Sequence, residues 1–584
     1  MNERSENGAA RKTAHRFEAL TAISAAVLLS ACGGGGGGGT TVTPPPVVPN
    51  LVLTGTAATG AALAGATVDA KCAPGSGTAT TGTDGSFTIT IPAGALPCVL
   101  RATSGAVVLH SAATTGGAAP RANITPVTEL AVARHAGELP AAYYAAFDGA
   151  RAAALTDAAV QAAATATVDT LKAGGVDFNL GVNVLNGPLV AKNGAVVGDA
   201  YDQRLDALKA AITAAGVTLA ELSQAVASGS PAAPVANRSD VASLPADLLL
   251  APAAPNCPSL RSGRYRIIVN ADGGTAPETG VITLNAPALT LVNTEGATEQ
   301  LIETAPCTYT NADGGEVFVN KAGFGITRVT ATGPSLRGAV FFPEQAHTVA
   351  ELAGEYNTLA FDRTVTNGPI HMTSSTLSIS ATGTLTALNF CDDLRICVVS
   401  TAANLPNVTF TSNAAGGFNL NNATAGYVSR TFAYRAGGGE LMLVDLATPG
   451  HITFMARNVA AVALPVGRIR TLWNLFLDST YSAPAPISLS RSTITSSDAA
   501  TGAYTRAAVQ NFATGATRPE SLQANSLRSG YVHRTGPVGV VHSDGTASTV
   551  AEFIALPFRG MDFSVLALPA SNQFGISPLQ SSSN

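Results

Sequence analysis

From residue 257 to residue 584 the chain is an almost unbroken succession of strand-length runs, and no other feature limits its fold as much. Stretches such as Arg264-Tyr265-Arg266-Ile267-Ile268-Val269, Val281-Ile282-Thr283-Leu284, Glu316-Val317-Phe318-Val319, Leu377-Ser378-Ile379-Ser380, Leu441-Met442-Leu443-Val444 and Phe563-Ser564-Val565-Leu566 recur. Between them lie turn sequences that include Ala271-Asp272-Gly273-Gly274 and Ala312-Asp313-Gly314-Gly315. Many short β-branched runs with Gly and Asp-Gly punctuation predict a large antiparallel all-β domain, either a sandwich or a barrel. Gly263-Arg264-Tyr265, Gly354-Glu355-Tyr356 and Gly467-Arg468-Ile469 each open a strand, which suggests a loose internal repeat.

Upstream the pattern changes twice. Residues 51–115 again read as strands, with runs at Leu51-Val52-Leu53-Thr54, Ala66-Thr67-Val68-Asp69-Ala70, Phe87-Thr88-Ile89-Thr90-Ile91 and Val99-Leu100-Arg101-Ala102, and predict a small β-sandwich. Residues 116–228 are Ala-rich and periodic. Thr125-Pro126 is a helix start, because Thr offers an N-cap oxygen and Pro needs no donor at the first position. Helices are expected near 126–136, 141–153, 157–173, 199–214 and 219–227, the last announced by the capping-box spacing Thr218 to Glu221. Tyr143, Tyr144 and Phe147 read as core volume for this all-α domain rather than as a pocket. Residues 229–256 are rich in Pro, Ala and Ser and read as a linker.

The N-terminus supplies an address. Arg11, Lys12 and Arg16 precede a short apolar stretch, 19–29, which ends in Leu29-Ser30-Ala31-Cys32 and seven glycines. These are the parts of a secretory signal, and the stretch is too short to span a bilayer, which needs ~20 apolar residues. The cysteine makes residues 1–31 resemble a bacterial lipoprotein signal. That resemblance implies lipidation of Cys32, and Gly33 in place of Asp implies the outer membrane, on its periplasmic or its surface face. The membrane is then a partner through the acyl chains, and residues 32–50, Gly-rich and then Pro-rich, are a tether. Gly65-Ala66-Thr67-Val68 with Thr83-Asp84-Gly85-Ser86-Phe87-Thr88 resembles the carboxypeptidase regulatory-like, or transthyretin-like, fold. The resemblance covers about 60 residues; it implies a non-catalytic spacer or adhesive module, with Asp84-Gly85 as a turn.

Seven cysteines are present. With Cys32 set aside for lipid, six remain, in an oxidising compartment where disulfides persist. They fall in sequence as Cys72 with Cys98, Cys257 with Cys307 and Cys391 with Cys397, and local pairing is the simplest of the fifteen connectivities that six cysteines allow. No histidine accompanies them at ligand spacing, so no metal site is expected.

Composition and motifs exclude more than they specify. Net charge is −5, only six of the 33 basic residues are lysine, and no basic run follows the signal, which argues against nucleic acid. Gly-x-Ser-x-Gly, His-Glu-x-x-His, Ser-x-x-Lys and phosphate-loop motifs are all missing, so no catalytic residue and no cofactor is assigned. His533 and His542, with Asp544, would share a face if their two runs paired as a hairpin. Asp392-Asp393 with Arg395 would form a constrained polar tip between Cys391 and Cys397. The Asn-Ala-Asp-Gly-Gly turns offer oxygens without the spacing of a calcium loop. Trp473, between apolar neighbours, reads as core rather than as a sugar platform. The expectation is a lipid-anchored envelope protein with a structural or ligand-binding, adhesion-like role toward an unknown ligand or envelope partner. The alternative is an extracytoplasmic hydrolase with a site dispersed over the C-terminal β domain.

Overall fold

The computed structural model describes residues 49–114, 120–194, 196–228, 244–270, 277–330, 336–362, 371–392, 394, 396–437, 440–447, 451–478 and 487–583. Cys32, Asp393, Arg395 and most of the tether lie outside the described residues.

Six strands make the N-terminal sandwich: β1 (Leu51–Thr56), β2 (Thr67–Cys72), β3 (Ser76–Thr80), β4 (Ser86–Ile91), β5 (Cys98–Ser104) and β6 (Val107–Ala113). β1 pairs with β4, and the other four form a second sheet in the order β3-β2-β5-β6. The pleat sends Phe87, Ile89 and Ile91 inward while Ser86, Thr88 and Thr90 face water. Those three pack with Val68, Leu100 and Leu109 from the facing sheet. Asp84 and Gly85 are a turn, as expected: the Ser86 amide donates to Asp84 Oδ1 at 3.0 Å and Gly85 takes a φ of 77°. The Cys72–Cys98 disulfide joins directly paired residues of β2 and β5.

Six helices follow: α1 (Pro126–Ala136), α2 (Pro140–Ala145), α3 (Gly149–Ala154), α4 (Asp157–Ala173), α5 (Ala200–Ala214) and α6 (Leu219–Ser228). Thr125 caps α1, and Thr218 and Glu221 close the expected box at α6, through 2.7 and 3.2 Å hydrogen bonds. The single helix expected over 141–153 is two. The Asp148 carboxylate accepts from the Arg151 amide at 2.9 Å and starts α3 afresh. Tyr143 and Tyr144 are buried in this domain's core, with Phe147 packed against it. A buried pair, His110 Nδ1 to Glu129 Oε2 at 2.8 Å, ties β6 to α1. Among the described residues no single helix is long and apolar enough to cross a membrane. Of the segment read as a linker, 246–249 form a helical turn and 253–254 pair with 257–261.

The C-terminal β domain is three successive rolled sheets. In the first, nine strands run from Gly263–Val269 to Leu336–Pro343 in chain order, and the first pairs with the last. Its two free edges, Thr298–Gln300 and Ile302–Ala305, are separated by Leu301 alone, so the chain itself closes the ring. The second sheet repeats that order from Gly354–Asp362 to His451–Arg457. The third is an eight-stranded closed barrel from Ile469–Asp478 to Gln573–Ser583, with the hairpin Val538–Val541/Ala547–Val550 as an excursion.

The Gly-x-Tyr openings carry the repeat. Gly263 and Gly354 take φ of 148° and 142°, a region that favours glycine. The hydroxyls of Tyr265 and Tyr356 each donate to the carbonyl four residues upstream, of Arg261 and Leu352, both at 2.9 Å. The third copy has Ile469 instead. Each barrel is also preceded by a segment that enters its interior cluster: Ala254, Cys257 and Leu260 in the first, Leu352 in the second, Ala463 with Leu464 in the third. Cys257–Cys307 and Cys391–Cys397 are bonded within the first and second barrels, so all six cysteines pair locally as expected.

The barrels pack through their outer faces into one shared core. Phe318 meets Trp473 and Phe324 meets Phe563 between the first and third, with ring centroids 4.5 and 4.0 Å apart. Phe342 meets Tyr434 between the first and second at 5.5 Å, and Phe361 meets Phe574 between the second and third at 5.1 Å. Trp473, 3% exposed, is core as its neighbours implied.

Candidate functional site

In small barrels, inward-facing side chains usually fill the interior or leave room for one small ligand. Here the first and third barrels are hollow.

The first holds a cavity of ≈ 730 Å³, the larger of the two. Alternation on Gly263–Val269 turns Tyr265, Ile267 and Val269 toward it, and Ile282, Leu284 and Phe341 complete an apolar wall. The 253–261 hairpin covers one end. At the other end Glu278, Glu295, Glu299 and Asp313 line the opening. Three of these acids are engaged: Arg337 lies 3.2 Å from Glu278, Asn293 Nδ2 donates to Glu299 at 2.6 Å, and Asp313 also has a partner.

The third barrel's cavity is ≈ 390 Å³ and is lined also by Glu440, Leu441, Ala456 and Arg457 of the second; with those included, five arginines and two acids (Glu440 and Asp562) line it, so it is basic. Arg470, Leu472 and Asn474 alternate into it from Ile469–Asp478, and Arg506 reaches it from Ala503–Asn511. Behind Arg506 lies a buried network. Glu520, its side chain 1% exposed, holds Arg506 and Arg518 at 2.6 Å and Arg534 at 2.7 Å. Burial pushes the Glu520 carboxyl up, and the surrounding guanidiniums, Arg506 and Arg534 foremost, overcome that and hold it at about 2. Asn474 and Ser577 share a 2.7 Å hydrogen bond on the same wall.

The histidines and acids singled out in the sequence do not converge. The runs of His533 and His542 do not pair with each other: Val532–Arg534 lies in the barrel wall, and Val538–Val541 pairs with Ala547–Val550. His533 sits 2.8 Å from Glu552 and His542 2.6 Å from Ser548, while Asp544 accepts from Thr546 in its own turn. Asp392 meets His371 at 2.9 Å beside the Cys391–Cys397 disulfide. Asn311 closes its turn by accepting from the Gly315 amide at 2.7 Å. Among the described residues no group of three or more His, Cys, Asp or Glu is placed to hold a metal.

Sequence reasoning missed the lumen arginines and Glu520. The signal was present in Tyr504-x-Arg506-x-Ala508, Arg518-x-Glu520-x-Leu522 and Val532-x-Arg534, where charges occupy the inward, period-2 face.

No protein-family model matches the chain, and no curated protein matches it. Among solved structures it is similar to a protein of unknown function from the DUF3598 family of Nostoc punctiforme, at 11% identity, covering 40% of this chain and 98% of that one, with a TM-score of 0.15.

Proposed function

We propose that the chain is a lipid-anchored, extracytoplasmic binding protein of the outer membrane that carries small molecules inside its β-barrels. The observation that carries this reading is the ≈ 730 Å³ apolar lumen of the first barrel, within the 300–1,000 Å³ range typical of small-molecule sites. The three disulfides support an oxidising compartment, and Leu29-Ser30-Ala31-Cys32 supports the anchor. In this reading the N-terminal sandwich, with its resemblance to carboxypeptidase regulatory-like domains, is a spacer between anchor and barrels.

The test is binding of the neutral fluorophore N-phenyl-1-naphthylamine to the full mature chain. Saturable binding is expected, and Ile282→Trp, which fills the first lumen, should abolish it while leaving the thermal midpoint within a few degrees. Binding that survives Ile282→Trp, or turnover of a generic ester, peptide or glycoside by the purified protein, would remove this reading in favour of a surface site or a hydrolase. The anchor is tested separately. Cys32→Ser should leave the precursor without acyl mass in intact-mass spectra and out of the membrane fraction; retained acyl mass refutes it.

A further inference from the structure

We propose that the lumen of the third barrel is a second binding site, for an anionic amphiphile whose carboxylate or phosphate head is held by Arg470 and whose tail lies along Leu472, Leu566 and Leu579. It rests on the reading of the barrels as ligand carriers, but at a site separate from the first lumen and of opposite charge.

Arg470 is set on the barrel wall by its register, paired with Ser492 on one side and Ser582 on the other. It shares the inward face with Leu472 and Asn474. The other lining arginines have partners. Arg506 is bound to Glu520, Arg457 donates to the Glu351 and Ala353 carbonyls, and Arg468 donates to Ser582. Arg559 also has a partner. Arg470 alone among these makes no hydrogen bond or ion pair within the described residues; Arg506 and Arg468 lie close enough to repel it, while Tyr504 and Asp562 attract it from a distance.

Enclosing a guanidinium in a lumen without a hydrogen-bond or ion-pair partner is costly. Burial pushes this group's pKa down. Asp562, the acid that acts on it across the cavity, attracts it without forming an ion pair with it. A guanidinium offers a planar fork that matches the two oxygens of a carboxylate or phosphate. The remaining wall is chiefly apolar: Leu472, Leu522, Leu566, Leu579, Val532 and Phe553. A charged fork at one position and aliphatic surface beyond it are the complement of a headgroup and a hydrocarbon tail. The segment 459–465 lies across this cavity, pinned by Asn525, which accepts from the Ala461 amide and donates to its carbonyl, both at 2.8 Å.

The experiment is isothermal titration of the full mature chain with decanoate, decyl phosphate and decanol. Either anion should bind at least tenfold more tightly than decanol, and the tighter of the two names the headgroup. Arg470→Met should weaken the anion about ten- to hundredfold and leave N-phenyl-1-naphthylamine binding unchanged. Because it removes a guanidinium enclosed without a hydrogen-bond or ion-pair partner, it should also raise the thermal midpoint of the unliganded protein. Arg470→Lys, which keeps the charge and loses the fork, should fold normally and bind more weakly than the parent. Arg491→Gln, on the exposed outer face of the same barrel, should change neither binding nor stability. Equal affinity for decanol and the anions, or undiminished anion binding by Arg470→Lys and Arg470→Met, would overturn the proposal.

Discussion

Glutamine in place of Glu520 is expected to destabilise the protein by about 3–5 kcal/mol, the cost of breaking a buried ion network by removing one partner. The substitution is nearly isosteric, so the loss would come from charge. Arg506, Arg518 and Arg534 would be left facing one another without their shared carboxylate. The same group gives the fold an acid limit whose sign is fixed. Its carboxyl is held at about 2 in the folded state against an ordinary 4.5, so its contribution is fully present above pH 4.5. That contribution is lost as pH falls toward 2, and amounts to about 3 kcal/mol. Denaturant unfolding at pH 7 and pH 3 checks both claims. The parent should lose stability over that interval and Glu520→Gln should lose correspondingly less; parallel losses would detach the acid limit from this residue.

Alanine in place of Trp473 is expected to cost about 3–5 kcal/mol, as large-to-small changes in a packed core do. Its indole packs against Phe318, ring centroids 4.5 Å apart and tilted by 40°, where the first and third barrels meet. It faces away from both lumens, so ligand binding by the folded fraction should be unchanged. Chemical denaturation with far-ultraviolet dichroism measures the loss, and a change below 1 kcal/mol would show that the junction closes without it. Because this is the chain's one tryptophan, its emission in the parent should be blue-shifted and should report opening of that junction directly.

What the sequence made legible is what local chemistry dictates. Thr125-Pro126 and Thr218-x-x-Glu221 announce helix starts because capping is settled within four residues, and α1, α4 and α6 begin where those signals or their like place them. The break at Asp148 was not legible: the alanines on either side read as one helix, and only the bond of its carboxylate to the Arg151 amide reveals the second start. Strand runs were legible too, and so was the Gly-x-Tyr repeat in outline. Closure was not. It depends on Ile469–Asp478 pairing with Gln573–Ser583, and no residue within either run encodes a partner a hundred positions away. The candidate site followed the same divide. His533 and His542 drew the eye by proximity in sequence, but His533 lies in the barrel wall and His542 in the turn of a separate hairpin. Arg470 and Glu520 sit singly in unremarkable runs and acquire their meaning only when the barrel encloses them.

The shared aromatic core has a consequence for how such a chain arises. Each barrel has an inner face that serves its own interior and outer patches, Phe324 and Phe342 in the first, Phe361 and Phe454 in the second, Phe563 and Phe574 in the third, that are covered only by its neighbours. A barrel of this kind cut free would present those patches to water and associate with whatever matched them, most readily copies of itself. The arrangement is that of an oligomer whose subunits have been threaded onto one chain. One molecule thereby holds an acidic-mouthed lumen and a basic one.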